Sequence, residues 1–155
     1  MDGIINEILS NLKQICLDLR PDSKINKVAF NQVYQLLESH RIELKKLEVV
    51  PADFAMGILY TSFSLIHQCN YSKSKTELGN ECRMFYQSIL RTFDIEIEIS
   101  ELNDEWIKSK FKEEKKEVRI NDFIRLIKTL YELKLKDENE ELIPVINKAM
   151  TELMK

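Results

Sequence analysis

Between Phe54 and Ser72 the chain carries no Asp, Glu, Lys or Arg. A run of that length either spans a bilayer or lies in the middle of a folded domain. Thr61, Ser62, Ser64, His67, Gln68 and Asn70 interrupt it, and hydrocarbon tolerates such side chains poorly. The run is therefore expected to be a buried central helix, apolar over most of its circumference, with amphipathic helices around it. No membrane contact is expected.

The flanking segments supply those helices. Ile4, Ile5, Ile8, Leu9, Leu12, Ile15, Cys16 and Leu19 form one stripe at helical spacing over residues 2–20. Pro21 disfavours helical geometry at Arg20 and ends the segment. A second helix is expected over 24–49. Its seam is Phe30, Val33, Leu37, His40, Leu44 and Leu47, in alternating steps of three and four. His40 is the one polar residue on that seam. It is expected either to hydrogen-bond within the bundle or to mark a local break, and a pH switch or register-fixing role is the functional alternative. Pro51 suits the first turn of the charge-free helix, expected to end near Tyr71.

Ser74 and Glu77 form a capping box for a helix with Leu78, Cys82, Phe85, Ile89 and Phe93 on one face. Ile95, Ile97 and Ile99 then alternate with Asp94, Glu96 and Glu98, the period of a half-buried strand. A fifth helix is expected from Ser100 through Leu102, Trp106, Ile107 and Phe111. A sixth, capped by Asn121, carries Phe123, Ile124, Ile127, Leu130 and Tyr131 inward. A last one, opened by Asp137, carries Leu142, Val145, Ile146, Ala149, Met150 and Leu153, with Pro144 kinking or delaying it. With 3 Gly and 3 Pro in 155 residues, a turn-rich β protein is excluded. The expected fold is all-α: one helical domain over 1–155, a bundle of six or seven helices. The 94–99 segment is its possible divider into a four-helix part (1–93) and a three-helix part (100–155).

Acidic residues number 26 and basic ones 23, a net charge of −3. Affinity for duplex nucleic acid comes largely from Lys and Arg on phosphates, so no nucleic-acid partner is expected. Cys16, Cys69 and Cys82 are odd in number and follow no motif spacing. A disulfide framework is not expected, and the chain reads as cytoplasmic. The N-terminus, with Asp2 and Glu7, lacks the basic region of a signal peptide.

Chemistry-bearing patterns are sparse. His67, Cys69 and Cys82 offer three soft ligands without the paired spacing of a zinc site. No Glu precedes a His by three residues, which excludes the di-iron bundle motif. Gly3, Gly57 and Gly79 are too far apart for a phosphate loop. His67 with Cys82 could be drawn as a nucleophile pair, but no oxyanion donor accompanies it. No catalytic residue, metal or cofactor is expected. The expected function is a non-catalytic protein-interaction module: a small adaptor, a regulatory subunit or an antitoxin- or immunity-type inhibitor. Ile97, Trp106 and Phe111 are its candidate contacts with a protein partner or a second copy of the chain. They combine large apolar side chains with little expected core contribution. The alternative is a sensor that holds a small apolar ligand between helices, lined by Tyr60, Phe63, His67 and Phe85.

Overall fold

The structure, a computed structural model, describes residues 2–19, 24–71, 75–93 and 117–134. The fold is all-α. Six helices are described: α1 (Asp2–Leu19), α2 (Lys27–Ser39), α3 (Arg41–Lys45), α4 (Ala52–Tyr71), α5 (Lys75–Phe93) and α6 (Ile120–Lys134). Two three-residue strands, β1 (Val49–Pro51) and β2 (Glu117–Arg119), complete the described elements. The chain divides into two compact units: Met1–Lys46 with Gly57–Asp94, and Leu47–Met56 with Ile95–Lys155.

In the first unit, α1 and α2 form an antiparallel hairpin. Asn26 joins them. Its Oδ1 accepts from the Ala29 N–H at 3.0 Å, capping α2, while its Nδ2 donates to Asp18 Oδ2 at 2.7 Å near the end of α1. The Lys24 N–H reaches the Asp18 carbonyl at 3.1 Å. Further along, Gln32 Nε2 donates to Glu7 Oε1 at 3.3 Å, so rising numbers on α2 meet falling numbers on α1.

Helices α1 and α4 run parallel, since Gly57 faces Leu9 and Leu12 while Thr61 faces Cys16. The Thr61 hydroxyl donates to the Gly57 carbonyl at 2.8 Å, which leaves its oxygen to accept from the Cys16 thiol at 3.4 Å. Helices α2 and α5 are also parallel. Lys27 meets Glu81, Phe30 meets Phe85, and Glu38 meets Arg91.

Most stripe positions read from the sequence form the core of this unit, while Ile4, Leu9, Cys16 and Cys82 are only half-buried. Ile8, Leu12, Phe30, Leu37, Leu59, Phe63, Phe85 and Ile89 are all buried. Phe30 and Phe85 pack edge to face with centroids 6.1 Å apart, an arrangement the ring quadrupoles favour. Six successive residues of α4, Thr61 to Ile66, are buried, as a charge-free central helix requires. Among the described residues, no helix is long and apolar enough to cross a membrane.

The helix expected over 24–49 does not run through. At His40 the backbone leaves the helical region (φ −112°, ψ 18°), and α3 begins there anew. The half-exposed imidazole lies with Nδ1 3.9 Å from Glu43 Oε2. Bending the chain at the one polar seam position keeps that ring out of an apolar interior, where it would need its own partners.

In the second unit, residues 49–51 and 117–119 are strands where helix ends were expected. They pair antiparallel, with Val50 opposite Val118 and Pro51 opposite Glu117. The two valines are buried while Glu117 and Arg119 face solvent. Pro51 lacks a ladder donor, which a two-stranded pair tolerates because both of its strands are edges. The Ile120 N–H donates to the Glu48 carbonyl at 2.9 Å and extends the pairing into the start of α6. Phe54, in the first turn of α4, packs on Phe123 of α6 at 6.3 Å. The extended segment expected at 94–99, the last helix expected from Asp137, and the helix expected from Ser100 to Glu117 apart from Glu117 itself lie outside the described residues.

Candidate interaction groove

Parallel packing of α2 against α5 leaves an open groove between them. Its volume is about 490 Å³, and Tyr34, Glu38, Met84, Gln87, Ser88 and Arg91 line it. The spacing explains the lining. Tyr34 and Glu38 are four apart on α2, and Met84, Ser88 and Arg91 follow at four and three on α5, so each set occupies one helix face. Met84 is 47% exposed, an unbranched apolar side chain held at the surface. Arg91 Nη2 donates to Glu38 Oε1 across the groove at 3.3 Å. Glu38 also lies 4.0 Å from Arg41 Nη1.

The wall of the groove is fixed from behind. Glu81 on α5 is 1% exposed, an uncommon position for a carboxylate. Its Oε1 accepts from the Tyr34 hydroxyl at 2.6 Å and its Oε2 from Lys27 Nζ at 2.8 Å. A buried carboxylate needs such donors, and both come from α2. The cluster therefore ties α2 to α5 in one register. The same contacts act on the donors. Burial, followed by the hydrogen bond to Glu81, pushes the Tyr34 phenol above its ordinary value of 10.0. The hydrogen bond to Glu81 holds the Lys27 ammonium above its ordinary 10.5. Tyr34 belongs to both features, one face on the groove and its hydroxyl on the hidden carboxylate.

The four residues drawn from the sequence as a ligand site do not line this groove. Ile97, Trp106 and Phe111 lie outside the described residues. Of the four drawn as a ligand site, Phe63 and His67 stack with centroids 6.2 Å apart and an interplanar angle of 16°. Phe85 faces Phe30 of α2 instead. Phe63 is buried, Tyr60 half-buried and His67 exposed, so the imidazole covers the outer side of the Phe63 ring. Cys16, Cys69 and Cys82 are half-buried and none of them is in a disulfide. Among the described residues, no group of three or more His, Cys, Asp or Glu side chains is placed to hold a metal ion.

The sequence alone did not single out the groove. Its one signal was Glu81, an acid that the apolar positions Leu78, Cys82 and Phe85 place near the buried face. Comparison with known protein families, with curated proteins and with solved structures finds no match for this chain.

Proposed function

We propose that the chain is a non-catalytic helical protein-interaction module whose binding face is the α2–α5 groove. The observation that carries the proposal is the groove itself: a concave surface of about 490 Å³ with an exposed Met84, set on two helices pinned together by a hidden carboxylate. Methionine at a surface adapts its three torsions to a partner's shape and is over-used where proteins bind one another. Mixed apolar and polar lining is the usual composition of such a face. Rigid support limits the ordering cost of binding. An adaptor, a regulatory subunit and an inhibitor would each use a surface of this kind.

The test places a photo-reactive amino acid at Gln87 in one protein and at Lys13, on the outer face of α1, in another. Irradiation in the native host should give one discrete protein adduct from position 87, lost on Met84→Ser and absent from position 13. Adducts of equal yield from both positions, or none that depends on Met84, would contradict the proposal.

A further inference from the structure

We infer that the groove seats a second copy of this chain, in a two-fold dimer whose axis runs along the groove. The inference rests on the interaction proposal above and names the occupant. It starts from the charges of the lining. Glu38 and Arg91 are its one anion and its one cation, and they pair across the groove at 3.3 Å. A strongly charged occupant of either sign finds no surplus charge to meet there. The fitting occupant brings one acid and one base of its own, level with each other and on opposite sides. The chain's own groove is such a surface. Parallel packing makes the match geometric. Lys27 lies beside Glu81, Phe30 beside Phe85 and Glu38 beside Arg91, so facing positions on α2 and α5 keep step along the groove.

A two-fold interface sets the same patch of two copies face to face. With the axis along the groove, α2 of each copy lies on α5 of the other, parallel to it and level with it. Glu38 of each copy then faces Arg91 of the other, and two ion pairs become four charges of alternating sign. Such a network holds better than an isolated exposed pair. An axis across the helices at this level would set Glu38 on Glu38 and Arg91 on Arg91, which like-charge repulsion opposes. The apolar part of the lining follows the same operation. The Tyr34 hydroxyl reaches back to Glu81, so its ring sits toward the Met84 end of the groove. The exposed Met84 of each copy then lies against the Tyr34 ring of the other, a favourable sulfur–aromatic contact. Gln87 and Ser88, between Met84 and Arg91 in sequence, each carry a donor and an acceptor and can pair with one another across the axis.

The test is sedimentation equilibrium of the full chain and of two charge variants, Glu38→Arg and Arg91→Glu. The intact chain should reach twice its monomer mass, and its dimer should weaken as salt rises. Each variant alone should dissociate at least tenfold more readily, because its groove carries like charges. An equimolar mixture of the two should restore the dimer, since the acids of one then face the bases of the other. Both changes in one chain should restore it as well. Circular dichroism should show full helix content throughout, because both substituted side chains are exposed. A dimer indifferent to either single variant, or one that neither the mixture nor the double variant restores, would overturn the inference. So would an intact chain that stays monomeric up to millimolar concentration. In that case a position-87 adduct with a different protein would keep the groove as an interaction site. No adduct at all would overturn the interaction proposal too.

Discussion

The Tyr34 hydroxyl lies 2.6 Å from Glu81 Oε1, and this bond joins the visible groove to the hidden carboxylate behind it. Removing the donor leaves a buried charged acceptor short of one partner. Tyr34→Phe should therefore destabilise the protein by about 1–3 kcal/mol in urea denaturation. A change near zero would mean that Glu81 draws no stability from the bond.

Both donors to Glu81 hold their protons more tightly in the folded state than their ordinary values of 10.0 and 10.5. A group whose folded value is raised contributes stability that is complete below its unfolded value and is lost as pH rises through the folded one. The urea midpoint should thus be insensitive to these two groups below pH 10 and fall above it. The double variant Tyr34→Phe, Lys27→Met should flatten that alkaline fall. An alkaline fall equally steep in the double variant would place its origin elsewhere.

Two glycines in helices should respond oppositely to Ala. Gly79 has open space where a Cβ would sit, so Gly79→Ala should gain roughly 0.5–1 kcal/mol from helix propensity. A Cβ on Gly57 would come within 2.7 Å of Leu9 Cδ2 and 3.4 Å of Leu12 Cδ1. Overpacking costs about 1–3 kcal/mol, enough to cancel or exceed the propensity gain. Thermal denaturation of the two variants should move the melting temperature up for residue 79 and not for residue 57. Equal gains would show that α1 and α4 are not in close contact at Gly57.

Ser62 Oγ and Ser64 Oγ are buried on α4 without a hydrogen-bond partner among the described residues. An unsatisfied buried hydroxyl costs about 1–3 kcal/mol, so Ser62→Ala and Ser64→Ala should each raise stability by roughly 1 kcal/mol. Thr61→Val should lower it, since the Thr61 oxygen accepts from Cys16 and its proton is used by Gly57. Loss of stability in both serine variants would point to an internal water that satisfies them.

The helices were legible because their stripes are long. Ile5 to Leu19, Phe30 to Leu37 and Leu78 to Phe93 repeat at helical spacing through several turns, and all the stripe residues but Leu9, Cys16 and Cys82 are buried. The β1–β2 pair was not legible, because three residues carry too little periodicity to separate a strand from a helix end. Valine at 49, 50 and 118 fits either. The break at His40 was present in the sequence as a polar residue on an apolar seam, one of two outcomes open to it. The groove was illegible for a different reason. It depends on α2 and α5 lying parallel, a relation between segments far apart in sequence. Neither Met84 nor Arg91 differs locally from any other exposed helical residue.

Binding of another protein at the α2–α5 groove, as proposed above, can be read as an affinity. Its most direct measurement is the affinity of the protein captured at position 87, purified, for the intact chain and for Met84→Ser, by titration calorimetry. The dissociation constant should be at least tenfold weaker for Met84→Ser, with helix content and urea midpoint unchanged. Equal affinity for the two proteins would contradict it.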